Sequence, residues 1–204
     1  MIGFALSAEL AKINSLRLTK TNMYPEEQLN SRITLRDIHS LVDWTLQGDN
    51  LSKLLTLIES DNRRVSINAL WVMTNLQKLY PDRLSIHRDF FINALLTEVE
   101  TAKKRMLLQI LRHQDFSESD FPSDLFDYCL SKINSEKEPY AVRCFSLYTA
   151  LNICKTFPAL IGELNAHVEL LELQRLSPGL KSALRQTKSQ IKRISGKCHF
   201  KRKL

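Results

Sequence analysis

The chain repeats itself at a separation of 77 residues. Val65-Ser66-Ile67-Asn68-Ala69-Leu70-Trp71 aligns without a gap on Val142-Arg143-Cys144-Phe145-Ser146-Leu147-Tyr148, and the register then pairs Asn75 with Asn152, Lys78 with Lys155, Tyr80 with Phe157 and Pro81 with Pro158. A third apolar segment, from Lys103 to Leu111, lies between the two copies. The underlying period is therefore about 37–40 residues, the length of a two-helix repeat. No single pair of that size can bury its own apolar face, so the pairs have to stack.

Local signals agree with helices throughout. Five glycines and six prolines in 204 residues disfavour a turn-rich β-sandwich or barrel and remove the glycine-rich loops of phosphate and dinucleotide sites. Thr34 followed by Asp37 opens a helix whose apolar face carries Leu35, Ile38, Leu41, Val42 and Leu46, and Gly48 closes it. Asp49 or Asn50 suits the cap of a helix over 51–59, and Asp61 the cap of one running to Tyr80. Further helices are predicted at 83–96, at 97–113 with Thr97 and Glu100 forming a capping box, and at 124–134, 138–157, 159–173 and 178–194. Residues 114–123 read as a polar loop. The repeated helix is apolar round most of its girth, so neighbours should flank it on both sides, with Asn75 and Asn152 at the seams and Trp71 and Tyr148 packed between repeats.

Two segments carry a family resemblance. Ala141-Val142-Arg143 leading to Leu147, and Asp61 to Val65 leading to Ala69-Leu70, resemble the second-helix consensus of HEAT repeats, in which an acid and a Val-Arg pair open the helix. The middle copy departs from it, with Lys104-Arg105 in that place. The resemblance covers roughly residues 50–195. It implies an all-α, armadillo-like right-handed superhelix of about four helix pairs plus N-terminal helices, of the kind that usually serves as a binding scaffold. The corresponding organisation is an N-terminal helix and linker over 1–34, one solenoid domain over 35–195 and a basic tail over 196–204.

The net charge of +7 is unevenly placed. Residues 1–180 hold 20 Lys and Arg against 22 Asp and Glu, whereas 181–204 hold nine cations and no acid. Linear counting thus assigns the basicity to the C-terminal segment and gives no basic groove across the body. Lys181, Arg185, Lys188 and Lys192 line one face of the last predicted helix. They suit either the polar cap of a terminal repeat or an anion-binding stripe continued by Arg193, Lys197, Lys201, Arg202 and Lys203. Arg63, Arg64, Lys103, Lys104 and Arg143 open successive second helices, as a ladder of cations for a partner or as partners of nearby acids such as Asp61 and Glu138.

No catalytic, metal or cofactor constellation is expected. The cysteines form no CxxC pair, and no two of His39, His87, His113, His167 and His199 are three or four residues apart. The acids of the 114–123 loop lack the glycine turn of a calcium loop. No uncharged run reaches membrane-spanning length, the first residues lack the basic lead of a secretory signal, and a reducing, cytoplasmic setting is expected. The function expected is non-enzymatic binding of another protein through the surface of the second helices, with no cofactor and no membrane partner, and with the oligomeric state open. The alternatives are nucleic-acid binding through the basic C-terminal helix and tail, and a HEAT-like DNA alkylation-repair glycosylase.

Overall fold

The computed structural model describes residues 25–201, with side chains through residue 196. Residues 1–24 and the side chains of the basic tail beyond 196 lie outside the described residues, so the expectations placed on them have no structural counterpart. Among the described residues there are ten α-helices, two short 3-10 segments and no strand. The chain divides between Val72 and Met73 into two compact units, and that division falls inside a helix.

The first unit contains α1 (Pro25–Leu29), α2 (Leu35–Thr45), α3 (Asn50–Ile58) and the opening turns of α4 (Arg63–Leu79). Thr34 caps α2 as the sequence predicts: its hydroxyl accepts from Asp37 N at 3.3 Å, and its own N–H donates to Asp37 Oδ2 at 2.8 Å. The helix stops at Thr45, and Gly48 supplies the positive φ of 52° that turns the chain into α3. Asn50 Nδ2 donates to the Trp44 carbonyl at 3.0 Å rather than capping α3, and the Asp49 side chain makes no cap bond either. The cap of α4 is Asn62, not Asp61. Its Oδ1 accepts from the N–H groups of Arg64 at 3.1 Å and Val65 at 3.4 Å. Leu29, Ile38, Leu54, Val65 and Leu70 are fully buried and form this unit's core.

The second unit holds the remainder of α4, then α5 (Arg88–Thr97), α6 (Thr101–Leu111), α7 (Ser123–Ile133), α8 (Tyr140–Thr156), α9 (Ile161–Glu172) and α10 (Pro178–Lys201). Residues Pro81–His87 form a 3-10 segment, so the helix predicted over 83–96 begins later, at Arg88. The predicted capping box at Thr97 and Glu100 is not formed. Thr97 is the last residue of α5 and its hydroxyl donates back to the Asn93 carbonyl at 3.2 Å. Glu98 takes over the joint, accepting from Val99 N at 2.9 Å and Glu100 N at 2.7 Å. A carboxylate one residue after the helix end reaches those two N–H groups before a hydroxyl inside the helix can leave its own turn.

Helices α5/α6, α7/α8 and α9/α10 pack as antiparallel-type pairs, α5, α7 and α9 neighbour one another in one layer, and α6, α8 and α10 do so in a second. This is an α-solenoid, and it explains the all-round apolarity of α8, which touches α6, α7, α9 and α10. Val142, Leu147, Ala150, Ile153 and Cys154 are each fully buried on it. Each such side chain contributes about 1.5–3 kcal/mol when large and apolar.

The repeat period is written in the seams. Gln114 Nε2 donates to Gln77 Oε1 at 2.7 Å across 37 residues, Asn152 Nδ2 to the Gln114 carbonyl at 2.7 Å across 38, and Thr156 Oγ1 to the Phe116 carbonyl at 3.2 Å across 40. In the first unit, Asn68 Nδ2 reaches the Leu29 carbonyl at 2.7 Å across 39. Asn152 is thus the seam asparagine that the alignment predicted.

Candidate functional site

The cations that open the second helices are held by their own fold. Arg143 is 2% exposed; its Nε–H donates to the Ile133 carbonyl at 2.9 Å and its Nη2 to Gln174 Oε1. Lys104 bonds Glu138 at 3.0 Å, Lys132 approaches the same carboxylate at 3.4 Å, and Lys103 sits 3.6 Å from Glu98. In the first unit, Arg64 Nη1 donates to the Asn30 carbonyl at 3.3 Å, and Arg63 is also engaged. Burial pushes the Glu138 carboxyl up, but hydrogen bonds and charge from Lys104 and Lys132 outweigh it and hold the group below its usual range. Within the second unit Lys103, Lys104 and Arg143 are therefore paired by the fold itself.

The basic face of α10 separates into two. Lys188 bonds Glu172 at 2.7 Å, and Lys181 borders a shallow recess with Pro178, Leu184 and Arg185. Lys192 lies on the same outer strip as these and is exposed. Arg185 also lines a second surface. With Gln186, Ser189, Gln190 and Arg193 it forms one wall of a groove of about 740 Å³ in the second unit.

The second layer builds that groove. The end of α6 brings Arg112 and His113, and α8 brings Tyr148, Leu151, Asn152 and Lys155. No lining residue is acidic, and among the described residues none of Arg112, Lys155, Arg185 and Arg193 makes a salt bridge. A basic groove therefore lies within the second unit between α6, α8 and α10, which the linear charge count does not reveal. Helical repeats place residues from three distant segments on one surface, while the compensating acids of the first 180 residues stand elsewhere. Arg112 carries no sequence signal of this groove, whereas Lys155 repeats Lys78 in the 77-residue alignment and Arg193 belongs to the C-terminal basic segment.

Arg112 is the most constrained of the four. Its guanidinium carbon lies 5.2 Å from the Phe145 ring centroid and 5.4 Å from that of Tyr148, and its Nε–H donates to His113 Nε2 at 2.9 Å. These cation–π contacts hold the guanidinium against the two rings. Tyr148 donates to Gln186 Oε1 at 3.4 Å, tying α8 to α10 at the groove floor, and Lys155 Nζ donates to Asn152 Oδ1 at 3.1 Å. The His113 pKa is lowered from 6.5, first by burial and then by the positive charges of Arg112, Lys155 and Lys78. Its imidazole is thereby kept neutral and able to accept the Arg112 proton.

Nothing in this groove marks a metal centre; among the described residues no group of three His, Cys, Asp or Glu side chains could hold an ion. Cys129 and Cys154 are buried, and burial pushes the Cys154 thiol up to about 12. No described helix is long and apolar enough to cross a membrane. No curated protein and no solved structure matches the chain. Among protein families, the HEAT repeat domain matches residues 25–191, spanning every described helix pair. The chain belongs to the HEAT repeat family.

Proposed function

We propose that this chain is a non-enzymatic HEAT-repeat scaffold that receives an acidic segment of another protein in the groove of its second helices. The observation that carries this reading is a cluster of cations with no acid among them: Arg112, Lys155, Arg185 and Arg193 line the groove and make no salt bridge among the described residues. Clustered like charge destabilises the fold unless an anion relieves it, and walls of low dielectric focus the field on that anion.

The remaining lining suits a polypeptide. Gln190 and Ser189 offer donors and acceptors that match backbone amides. The rings of Phe145 and Tyr148 are faced by Arg112, so they are engaged by a guanidinium rather than offered as a stacking platform for bases. The direct test is fluorescence anisotropy with a labelled Glu-rich peptide, comparing the natural chain with a double variant, Arg185→Glu and Arg193→Glu. Both positions are exposed, so the fold tolerates the change. Binding by the natural chain and its loss in the variant supports the reading. Equal binding by both, or stronger binding of duplex DNA than of the peptide at physiological salt, overturns it.

A further inference from the structure

We infer that the groove reads one phosphorylated side chain within that acidic segment, with Arg112 as its focus. The inference rests on the reading above and goes further by naming the dianion. A phosphate monoester carries about −2 charge at neutral pH and presents three acceptor oxygens, where a carboxylate carries −1 and presents two. The groove is provisioned for the larger demand.

Two cations are fixed before any ligand arrives. The Arg112 guanidinium lies against the Phe145 and Tyr148 rings and is steadied through its Nε by His113, and Lys155 is tethered by Asn152. Both therefore meet an anion with little further loss of side-chain freedom, which is where preorganised sites gain affinity. Across the groove, Arg185 and Arg193 stand on α10 with the Ser189 hydroxyl between them in sequence. A single carboxylate meeting this set leaves most of its positive charge uncompensated. A phosphate neutralises two charges and accepts from the fork, the ammonium and a third donor together. The His113 environment reports the same field: its proton affinity is lowered by burial and by three surrounding cations.

The experiment uses three labelled peptides of Ala, Glu and Ser that differ at one central position, carrying phosphoserine, serine or glutamate, together with a single-stranded oligonucleotide of matched charge. The phosphoserine peptide is expected to bind roughly tenfold tighter than the other two, the gain of one added charge-assisted hydrogen-bond set. Arg112→Lys keeps the charge but loses the planar fork and the stack, and should reduce that preference to about twofold while the Glu peptide still binds. Should Arg112→Lys misfold by circular dichroism, Lys155→Gln, which alters an exposed ammonium, tests the same loss of preference. Equal binding of all three peptides overturns the phosphate inference and leaves the acidic-segment reading standing. Binding of no peptide overturns both, as does tighter binding of the oligonucleotide than of the phosphoserine peptide.

Discussion

Arg112 donates its Nε–H to Nε2 of the residue next to it, His113, at 2.9 Å. That bond exists only while the imidazole is unprotonated at Nε2, and the groove favours that state because burial and the charges of Arg112, Lys155 and Lys78 lower the His113 pKa from 6.5. Arg185 and Arg193 face the same space from α10.

An anion in the groove reverses part of that cost, so binding and protonation of His113 are linked. The added positive charge outweighs the loss of the Arg112 Nε bond, so the bound state has the higher pKa and affinity for a Glu-rich peptide should rise as pH falls from about 7.5 towards 5.5, where glutamates remain ionised. In His113→Gln the affinity should be flat over that range. Anisotropy titrations at stepped pH decide it, and a natural chain as flat as the variant would remove His113 from the site. For the unliganded fold the sign is the same as for any basic group with a lowered pKa: the contribution is full above 6.5 and lost as pH falls through the lower folded value. His113 is only partly buried, so that effect on stability is small.

Arg143 should matter for stability. It joins the end of α7, through the Ile133 carbonyl, to Gln174 after α9, and Gln174 Nε2 in turn donates to the Asn134 carbonyl at 3.1 Å. Arg143→Ala leaves a buried carbonyl and an amide without their charged donor, which should cost roughly 3 kcal/mol in urea unfolding. Arg143→Lys cannot span both acceptors and should recover only part of that loss. A cost below about 0.5 kcal/mol for the alanine variant would mean that water replaces the guanidinium.

The Glu138 carboxylate should shape the acid limb of stability. Its pKa is raised by burial but lowered overall by Lys104 and Lys132, so its contribution is complete above the ordinary value of 4.5 and lost as pH falls through the lower folded value. Glu138→Gln should cost on the order of 1 kcal/mol at neutral pH. The difference from the natural chain should shrink below about pH 4. Urea unfolding at pH 7 and pH 3.5 gives the comparison, and a constant difference would assign the effect to packing alone.

Val65 and Val142, matched by alignment, are both fully buried, and the residue after each bonds the carbonyl of the last residue of the preceding helix: Ser66 to Ile58, Arg143 to Ile133. One task is served by a hydroxyl in one copy and a guanidinium in the other, so the alignment found the backbone equivalence without revealing the chemistry. Helix existence and the seam role of Asn152 follow from periodicity, which burial enforces. Caps were harder, because Asn62 against Asp61 and Glu98 against Thr97 are decided by one residue of backbone geometry. The groove was illegible for a different reason. Its cations come from three distant segments: Arg112 and Lys155 lie in a stretch whose acids nearly cancel its cations in a linear count, while Arg185 and Arg193 lie in the acid-free C-terminal segment.

The basic tail and the groove make different predictions for truncation. Residues 197–204 carry Lys197, Lys201, Arg202 and Lys203, whereas the groove cations all precede Gly196. A chain ending at Gly196 should keep its affinity for a Glu-rich peptide within about twofold, since the stacked Arg112, Lys155, Arg185 and Arg193 are retained. Nonspecific affinity for duplex DNA should fall in the same truncation, and its slope against log salt should flatten by up to about 3.6, roughly 0.9 for each cation lost. If peptide binding disappears with those eight residues while the truncated chain still unfolds at the same urea concentration, the anion is held by the tail, and the groove between α6, α8 and α10 is only the seam of a solenoid.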